Sequence, residues 1–281
     1  MDVNARSFMG SPLVALDVDG TILHHDGHLS DRVQQSVRDL AATDAHVMIA
    51  TGRSVVATLP VLQALGLTVD GTYAVCSNGA VTIVLDSAEA QGYRLHEVVT
   101  FDPRPAVETL RQVLPDALIA VEEVGVGFKV SRLFPELELQ GEQRVVSDEE
   151  LVSHPATRVT FRDVNGSSAD FEEAVERIGL HGVNYAIGFS AWLDVAPEGV
   201  SKASALEQVR RLLGVEPMDT VAVGDQRNDL EMLHWAARGV AMGQAPPEVV
   251  QAADETTAPV EHDGLALLLE DVLATMRAGV R

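Results

Sequence analysis

Apolar runs and polar turns alternate along the first third of the chain. Leu13-Val-Ala-Leu16 stops at an acidic, glycine-containing turn that begins with Asp17. Four successive apolar residues read as a strand buried on both faces. Ser30 predicts a helix N-cap, followed by Val33, Val37 and Leu40 at helical spacing. Val47-Met-Ile-Ala50 is the next buried strand, ending at Thr51-Gly52-Arg53. A helix follows to about Leu65, with Pro60 as a kink and Gly66 as its stop. Tyr73-Ala-Val-Cys76 is a third strand, ending at Ser77-Asn78-Gly79. This order predicts a parallel sheet with helices on both faces. It puts all three polar loops at the carboxyl edge, where open sheets of this kind bind ligands.

The pattern changes between about Val81 and Phe189. Arg158-Val-Thr-Phe-Arg162 alternates like a half-exposed strand, Ser168 can cap a helix through Ile178, and Val183–Ile187 reads as a strand. This stretch is expected to be an inserted α+β module. Regular alternation then resumes with Trp192–Ala196 as a strand, Lys202–Leu213 as a helix and Thr220–Gly224 as a strand ending at Asp225. Leu230–Ala237, Val240–Met242 and Leu265–Met276 complete the series as helix, strand and helix. The expected fold class is α/β, with a doubly wound, mostly parallel sheet. The core is expected at residues 1–82 and 190–281, and the insert at 83–189.

Composition narrows the function. The net charge of −22 argues against nucleic-acid binding, which needs clustered Lys and Arg. No apolar run approaches the ~20 residues that span a bilayer, so no membrane partner is expected. Met1–Ser11 lacks the apolar centre of a secretory signal. One cysteine, Cys76, excludes an internal disulfide, and the expected location is cytoplasmic. No feature specifies an oligomeric state. Lys129 and Lys202 are the only lysines, so a lysine at a candidate site is less easily dismissed as a solvated surface residue.

Four segments carry candidate chemistry. Asp17-Val-Asp19-Gly20-Thr21 places two carboxylates just past a strand end, where they can share a hard cation such as Mg²⁺. One can attack phosphorus while the other handles the leaving group's proton. Thr51-Gly52 offers a hydroxyl and backbone N–H groups to phosphate oxygens. Lys202, at a helix start, can neutralise a phosphoryl group. Gly224-Asp225-Gln-Arg-Asn228-Asp229 adds a further carboxylate and a supporting one. An acidic turn, a simple cap, a snorkelling lysine and an acidic helix start would each explain one segment alone. Their succession at strand ends and helix starts is what singles them out.

With these motifs the chain resembles the haloacid dehalogenase superfamily, and within it the Cof-type branch with a large α+β cap. The resemblance rests on Asp17–Thr21, Thr51, Lys202 within Pro197–Lys202, and Gly224–Asp229, with Ser77–Ala80 and Ala241–Gly243 in addition. It implies a Rossmann-like core and a phosphatase acting on a small-molecule phosphate ester, a sugar phosphate being the expected type. Asp17 would be nucleophile and metal ligand. Asp19 would be the general acid/base, with its carbonyl on Mg²⁺. Thr51, Gly52, Lys202 and Asn228 would hold the phosphoryl group, while Asp225 and Asp229 complete and support the metal site. A phosphomutase or phosphotransferase would share this chemistry, and a non-catalytic regulatory protein would share the fold. Gln244 stands where the branch often has Asn, and Ala203 where Gly is frequent; both are expected to lie away from the chemistry. His24, His25 and Cys76 are expected to be solvated or structural; Arg53 is expected to be structural while bordering the phosphate loop, Trp192 to pack, with lining of the cleft as the alternative, and Glu122 and Glu123 to form an exposed face.

Overall fold

The computed structural model describes residues 8–136, 138–164, 183–187 and 192–279. The expected helix after Ser168 lies outside these residues. Two sheets organise the described chain. The larger has, in spatial order, β14 (Glu255–Thr256), β13 (Arg238–Ala241), β12 (Thr220–Gly224), β1 (Leu13–Leu16), β2 (His46–Ala50), β3 (Tyr73–Cys76), β4 (Val81–Leu85) and β5 (Tyr93–Val98). Strands from β14 to β3 pair in parallel, and β4 and β5 add an antiparallel edge.

β1 is central, and all four of its residues are buried. Val14 and Leu16 face one apolar core with the helices Asp31–Ala41, Val55–Leu65 and Gly264–Gly279, while Leu13 and Ala15 face a second with Lys202–Leu213 and Leu230–Trp235. This burial on both faces is why the run shows no polar alternation. Ser30 caps its helix by accepting from the Val33 N–H, and Gly66 closes the next helix in the left-handed conformation. Pro60 lies within that helix.

The smaller sheet runs β10 (Val183–Ile187), β11 (Trp192–Pro197), β9 (Val159–Arg162), β6 (Leu118–Glu123), β7 (Gly127–Val130) and β8 (Glu142–Val145). Its pairs are antiparallel except β7–β8. The strands do not follow the expected division at 83 and 190. β4 and β5 belong to the larger sheet, and β11 belongs to the smaller one. A hairpin that extends a parallel sheet carries the same apolar signature as an inserted module, so the sequence pattern changes before the chain leaves the sheet. The smaller sheet buries Ile119, Val121, Val159, Phe161, Leu193 and Val195 against the helix Arg104–Val113. Its alternate residues, including Arg158, Thr160 and Asp194, point the other way, towards the carboxyl edge of the larger sheet. β9 is accordingly buried on both faces and not half-exposed.

Candidate active site

Asp17 follows β1 directly, and its backbone N–H still donates to Val223 O of β12 at 3.0 Å. The side chain is therefore fixed by the sheet itself. Lys202 begins the helix Lys202–Leu213, whose N-cap Ser201 and Ser204 satisfy one another in a capping box. The fully buried Nζ of Lys202 donates to Asp17 Oδ1 at 2.6 Å and to Asp229 Oδ1 at 2.7 Å. Asp229 Oδ2 accepts from the N–H groups of Asp225 (3.0 Å) and Gln226 (2.9 Å). Both Asp229 oxygens are thus committed, one to the lysine and one to the loop after β12. A Cβ on Gly20, whose φ is +82°, would lie 2.2 Å from Asp225 Oδ2, so only glycine lets the first loop approach the last.

Oxygen atoms of Asp17, Asp225 and Asp229 lie within 4.8 Å of one another, and all three residues are buried. Three carboxylates beside one ammonium leave two negative charges uncompensated, which fits a divalent cation. The orbit of Asp225 supports the same reading. Its Oδ2 accepts from Gln226 (2.9 Å) and Gln244 (3.2 Å), whereas its buried Oδ1 has no hydrogen-bond partner. A buried carboxylate oxygen without a donor is costly, and a hard oxygen-seeking ion such as Mg²⁺ would remove the cost.

The protonation energetics agree. Burial, then the Asp229 charge, push Asp17 well above the usual carboxylate range, against the pull of Lys202. Burial and Asp229 raise Asp225 to about 6. Burial disfavours charge on Lys202, but Asp17 and Asp229 together outweigh it and hold the ammonium protonated. The site strains to keep its carboxylates ionised, and a bound cation would relieve that strain.

The other expected residues are distributed around this centre. Asp17, Asp19, Gly52 and Asn228 line one cavity of about 460 Å³. Asn228 donates to Asn78 Oδ1 at 2.9 Å, which ties the last motif to the turn after β3. Thr51 is buried beneath the cavity, where its hydroxyl accepts from the Arg53 N–H at 3.1 Å and shapes the turn. The side chain of Asp19 is 60% exposed and accepts from Arg53 Nε and Nη2 at 2.9 and 2.5 Å. It stands apart from the three clustered carboxylates.

Several residues take parts that their sequence context did not suggest. Arg53 lines the cavity and holds Asp19, so it is more than a support for its own turn. Gln244 is not remote from the chemistry. Its amide donates to Gly20 O (2.6 Å) and Asp225 Oδ2, and its carbonyl accepts from Val260 N (3.0 Å). Glu122 is not on an exposed face. It is buried and accepts from Ser77 Oγ at 2.7 and 2.9 Å and from Thr157 Oγ1 at 3.2 Å, joining the smaller sheet to the larger. Trp192, Arg158 and Asp194 line the same cavity as Asp17. Tertiary packing alone brings these groups together, and only the period-two placement of Arg158 and Asp194 on apolar strands hinted at a buried polar wall.

The family model for haloacid dehalogenase-like hydrolases matches residues 14–269. A phosphoglycolate phosphatase of Natronomonas pharaonis is 29% identical over 262 residues, covering 93% of this chain and 97% of its own. The 5-amino-6-(5-phospho-D-ribitylamino)uracil phosphatase YitU of Bacillus subtilis is 26% identical over 265 residues, covering 92% and 96%. The solved structure of the subclass IIB sugar phosphatase BT4131 superposes with a TM-score of 0.77 at 24% identity, covering 93% of this chain and 99% of that one. The match runs through every loop that builds the carboxylate–lysine centre, and the chain belongs to the haloacid dehalogenase-like hydrolases, with phosphatases for relatives.

Proposed function

We propose that the protein is a Mg²⁺-dependent phosphatase that hydrolyses a small phosphate ester through an aspartyl-phosphate on Asp17. The observation that carries this reading is the bond from a fully buried Lys202 to Asp17, inside a carboxylate cluster with one unpartnered oxygen. Asp17 and Asp225, with the Asp19 backbone carbonyl, would hold Mg²⁺, and Asp229 would support them. The ion supplies positive charge that offsets repulsion between the carboxylate and an anionic ester.

The chain's own residues account for the remaining steps. Lys202 occupies Oδ1 of Asp17, which leaves Oδ2 as the attacking atom. The same ammonium would offset negative charge on the transferring phosphoryl group. Thr51, Gly52 and Asn228 would hold the phosphoryl oxygens; Gly52 and Asn228 border the cavity, and Thr51 also shapes the turn that carries Gly52. The P–O bond to the leaving group breaks as the bond to Asp17 forms, and Asp19 gives its proton to the departing alkoxide. Asp19 then takes a proton from the water that attacks the aspartyl-phosphate, which releases inorganic phosphate and restores Asp17. Asp19 is paired with Arg53 in the structure, so this role includes leaving that pair.

The larger sheet with its helices would form the catalytic core and the smaller sheet the cap. A small phosphorylated metabolite, with a sugar phosphate as the favoured type, suits the cavity between them. Among the described residues no helix is long and apolar enough to cross a membrane, and a cytoplasmic setting suits the single thiol, Cys76. The test is p-nitrophenyl phosphate hydrolysis with and without Mg²⁺. Metal-dependent phosphate release is expected, and no release under either condition would contradict the reading.

A further inference from the structure

The turn between β3 and β4, Ser77-Asn78-Gly79, touches three of the four segments that build the site. The Ser77 and Asn78 N–H groups donate to Arg53 O at 2.8 Å and Thr51 O at 3.0 Å, on either side of Gly52. Asn78 Oδ1 accepts from Asn228 Nδ2 at 2.9 Å. A Cβ on Gly79, whose φ is +101°, would lie 2.2 Å from Ser201 O, so the turn also packs on the N-cap just before Lys202. Gly52, Asn78 and Asn228 line the cavity together.

This turn needs outside support. Ser77 and Asn78 have φ of +50° and +55°, a left-handed conformation that residues other than glycine adopt at a cost. The support comes from the smaller sheet. Glu122 on β6 is buried, and the Ser77 hydroxyl lies 2.9 and 2.7 Å from its two oxygens. Thr157 Oγ1 donates to the same carboxylate at 3.2 Å. A buried carboxylate is costly unless donors satisfy it, so the two hydroxyls hold Glu122 and Glu122 holds the turn. A second route starts at Arg158, whose Nε lies 3.6 Å from Glu122 Oε2 and whose Nη1 donates to Gly52 O. Glu122 therefore reaches the Thr51–Arg53 turn both through Ser77 and through Arg158.

We propose that Glu122 is a positioning residue for phosphoryl binding. From the smaller sheet it fixes the Ser77–Gly79 turn, and that turn sets the Gly52 backbone and the Asn228 side chain at one spacing. Both groups must reach the same phosphoryl group, so a shift of the turn misplaces them together. Glu122 itself touches no reacting atom. The carboxylate cluster of Asp17, Asp225 and Asp229 follows β1 and β12, so its hold on a metal does not pass through Glu122. The proposal rests on the phosphatase reading, in which Gly52 and Asn228 hold the phosphoryl group.

The test is calorimetric titration of the full-length protein with Mg²⁺ alone, and then with inorganic phosphate in saturating Mg²⁺. Glu122→Met keeps the side chain's length and removes both acceptor oxygens. It is expected to weaken phosphate about tenfold while Mg²⁺ binds within about twofold of wild type. Ser77→Ala breaks the same link from the other side and is expected to weaken phosphate about fivefold. The double variant is expected to bind phosphate within about twofold of Glu122→Met, because both changes cut one link. Glu122→Gln keeps an acceptor for Ser77 and is expected to restore phosphate affinity to within about threefold of wild type. A purely structural tie would lower the thermal midpoint of Glu122→Met and leave phosphate binding as it was, and that result overturns the proposal. Equal loss of Mg²⁺ and phosphate affinity, or additive losses in the double variant, overturns it too. If Glu122→Met does not fold, Ser77→Ala decides, and unchanged phosphate affinity there overturns the proposal. Failure of the wild-type protein to release phosphate from p-nitrophenyl phosphate would instead overturn the phosphatase reading, so the two fail separately.

Discussion

The carboxyl edge of the larger sheet and the cleft face of the smaller one border the same cavity but hold their charges differently. At the larger sheet the ionisable groups are buried on loops that leave parallel strands, and short bonds fix them. Lys202 and Asp229 are fully enclosed, and every oxygen of Asp229 is engaged. At the smaller sheet the groups stand on or beside the strands, and Asp194 Oδ2 and Arg158 Nε meet their partners as ion pairs at 3.8 and 3.6 Å without hydrogen bonds. A group that attacks phosphorus needs one position, and the short bonds of Lys202 and Asp229 enforce it. On the proposed reading, the first region carries the reaction and the second borders the leaving group.

Substitutions can break that separation. The largest effect is expected from Asp17→Asn, which should cut phosphate release by about 10⁴-fold or more. Its thermal midpoint should stay within about 5 °C of wild type, because the backbone bond to Val223 remains. Next is Lys202→Met, which leaves three buried carboxylates without their cation. Activity should fall by about 10³-fold, and denaturant unfolding without metal should show a loss of about 3–5 kcal/mol.

Metal and pH probe the same cluster more gently. Asp225 rises from its ordinary 3.8 to about 6 in the folded protein, through burial and the Asp229 charge, and Asp17 is raised as well. A raised carboxylate means that the native state binds more protons than the unfolded chain between those values. Stability from this source is present below about pH 4 and is lost as pH rises through about 6. The metal-free protein should therefore lose stability across that window. Mg²⁺ at about 100 times its dissociation constant should add about 2.7 kcal/mol. The added stability should be larger near neutral pH than near about pH 5, as read by thermal unfolding with and without the ion.

At the contact between the sheets, Glu122→Ala removes the acceptor for Ser77 and Thr157 and a neighbour of Arg158. A loss of about 1–3 kcal/mol in denaturant unfolding is expected. The smallest effect is expected for Arg32→Ala, whose pair with Glu270 is about half exposed on both sides and should be worth under about 0.5 kcal/mol.

The larger sheet was the more legible of the two in the sequence. Buried parallel strands announce themselves as unbroken apolar runs, and the residue that follows each run is automatically at the ligand edge. Asp17, Thr51 and Asp225 could be placed in this way, and Lys202 by its helix start. The register of β4 and β5 could not, because an antiparallel hairpin looks the same whether it extends one sheet or begins another. Glu122 looked solvent-facing because adjacent acidic residues usually are, and only its meeting with Ser77, 45 positions earlier, buries it. Gln244 was set aside on the identity of one side chain, yet its length lets it reach Gly20 and Asp225 at once. Asp194 faces Thr160 and meets Arg158 diagonally at 3.8 Å, across a strand pair whose alignment has no local signal. Residues placed by a single strand end or helix start were readable, and residues brought together by the pairing of distant strands were not.

The central claim is that Asp17 carries the phosphoryl group during turnover. The direct measurement is an acid-quenched reaction of excess protein with a ³²P-labelled ester and Mg²⁺, followed by peptide mapping. The label is predicted on the peptide that contains Asp17, and it should be absent from the Asp17→Asn protein. Label on another residue, or unimpaired phosphate release from Asp17→Asn with no labelled protein, would contradict the account.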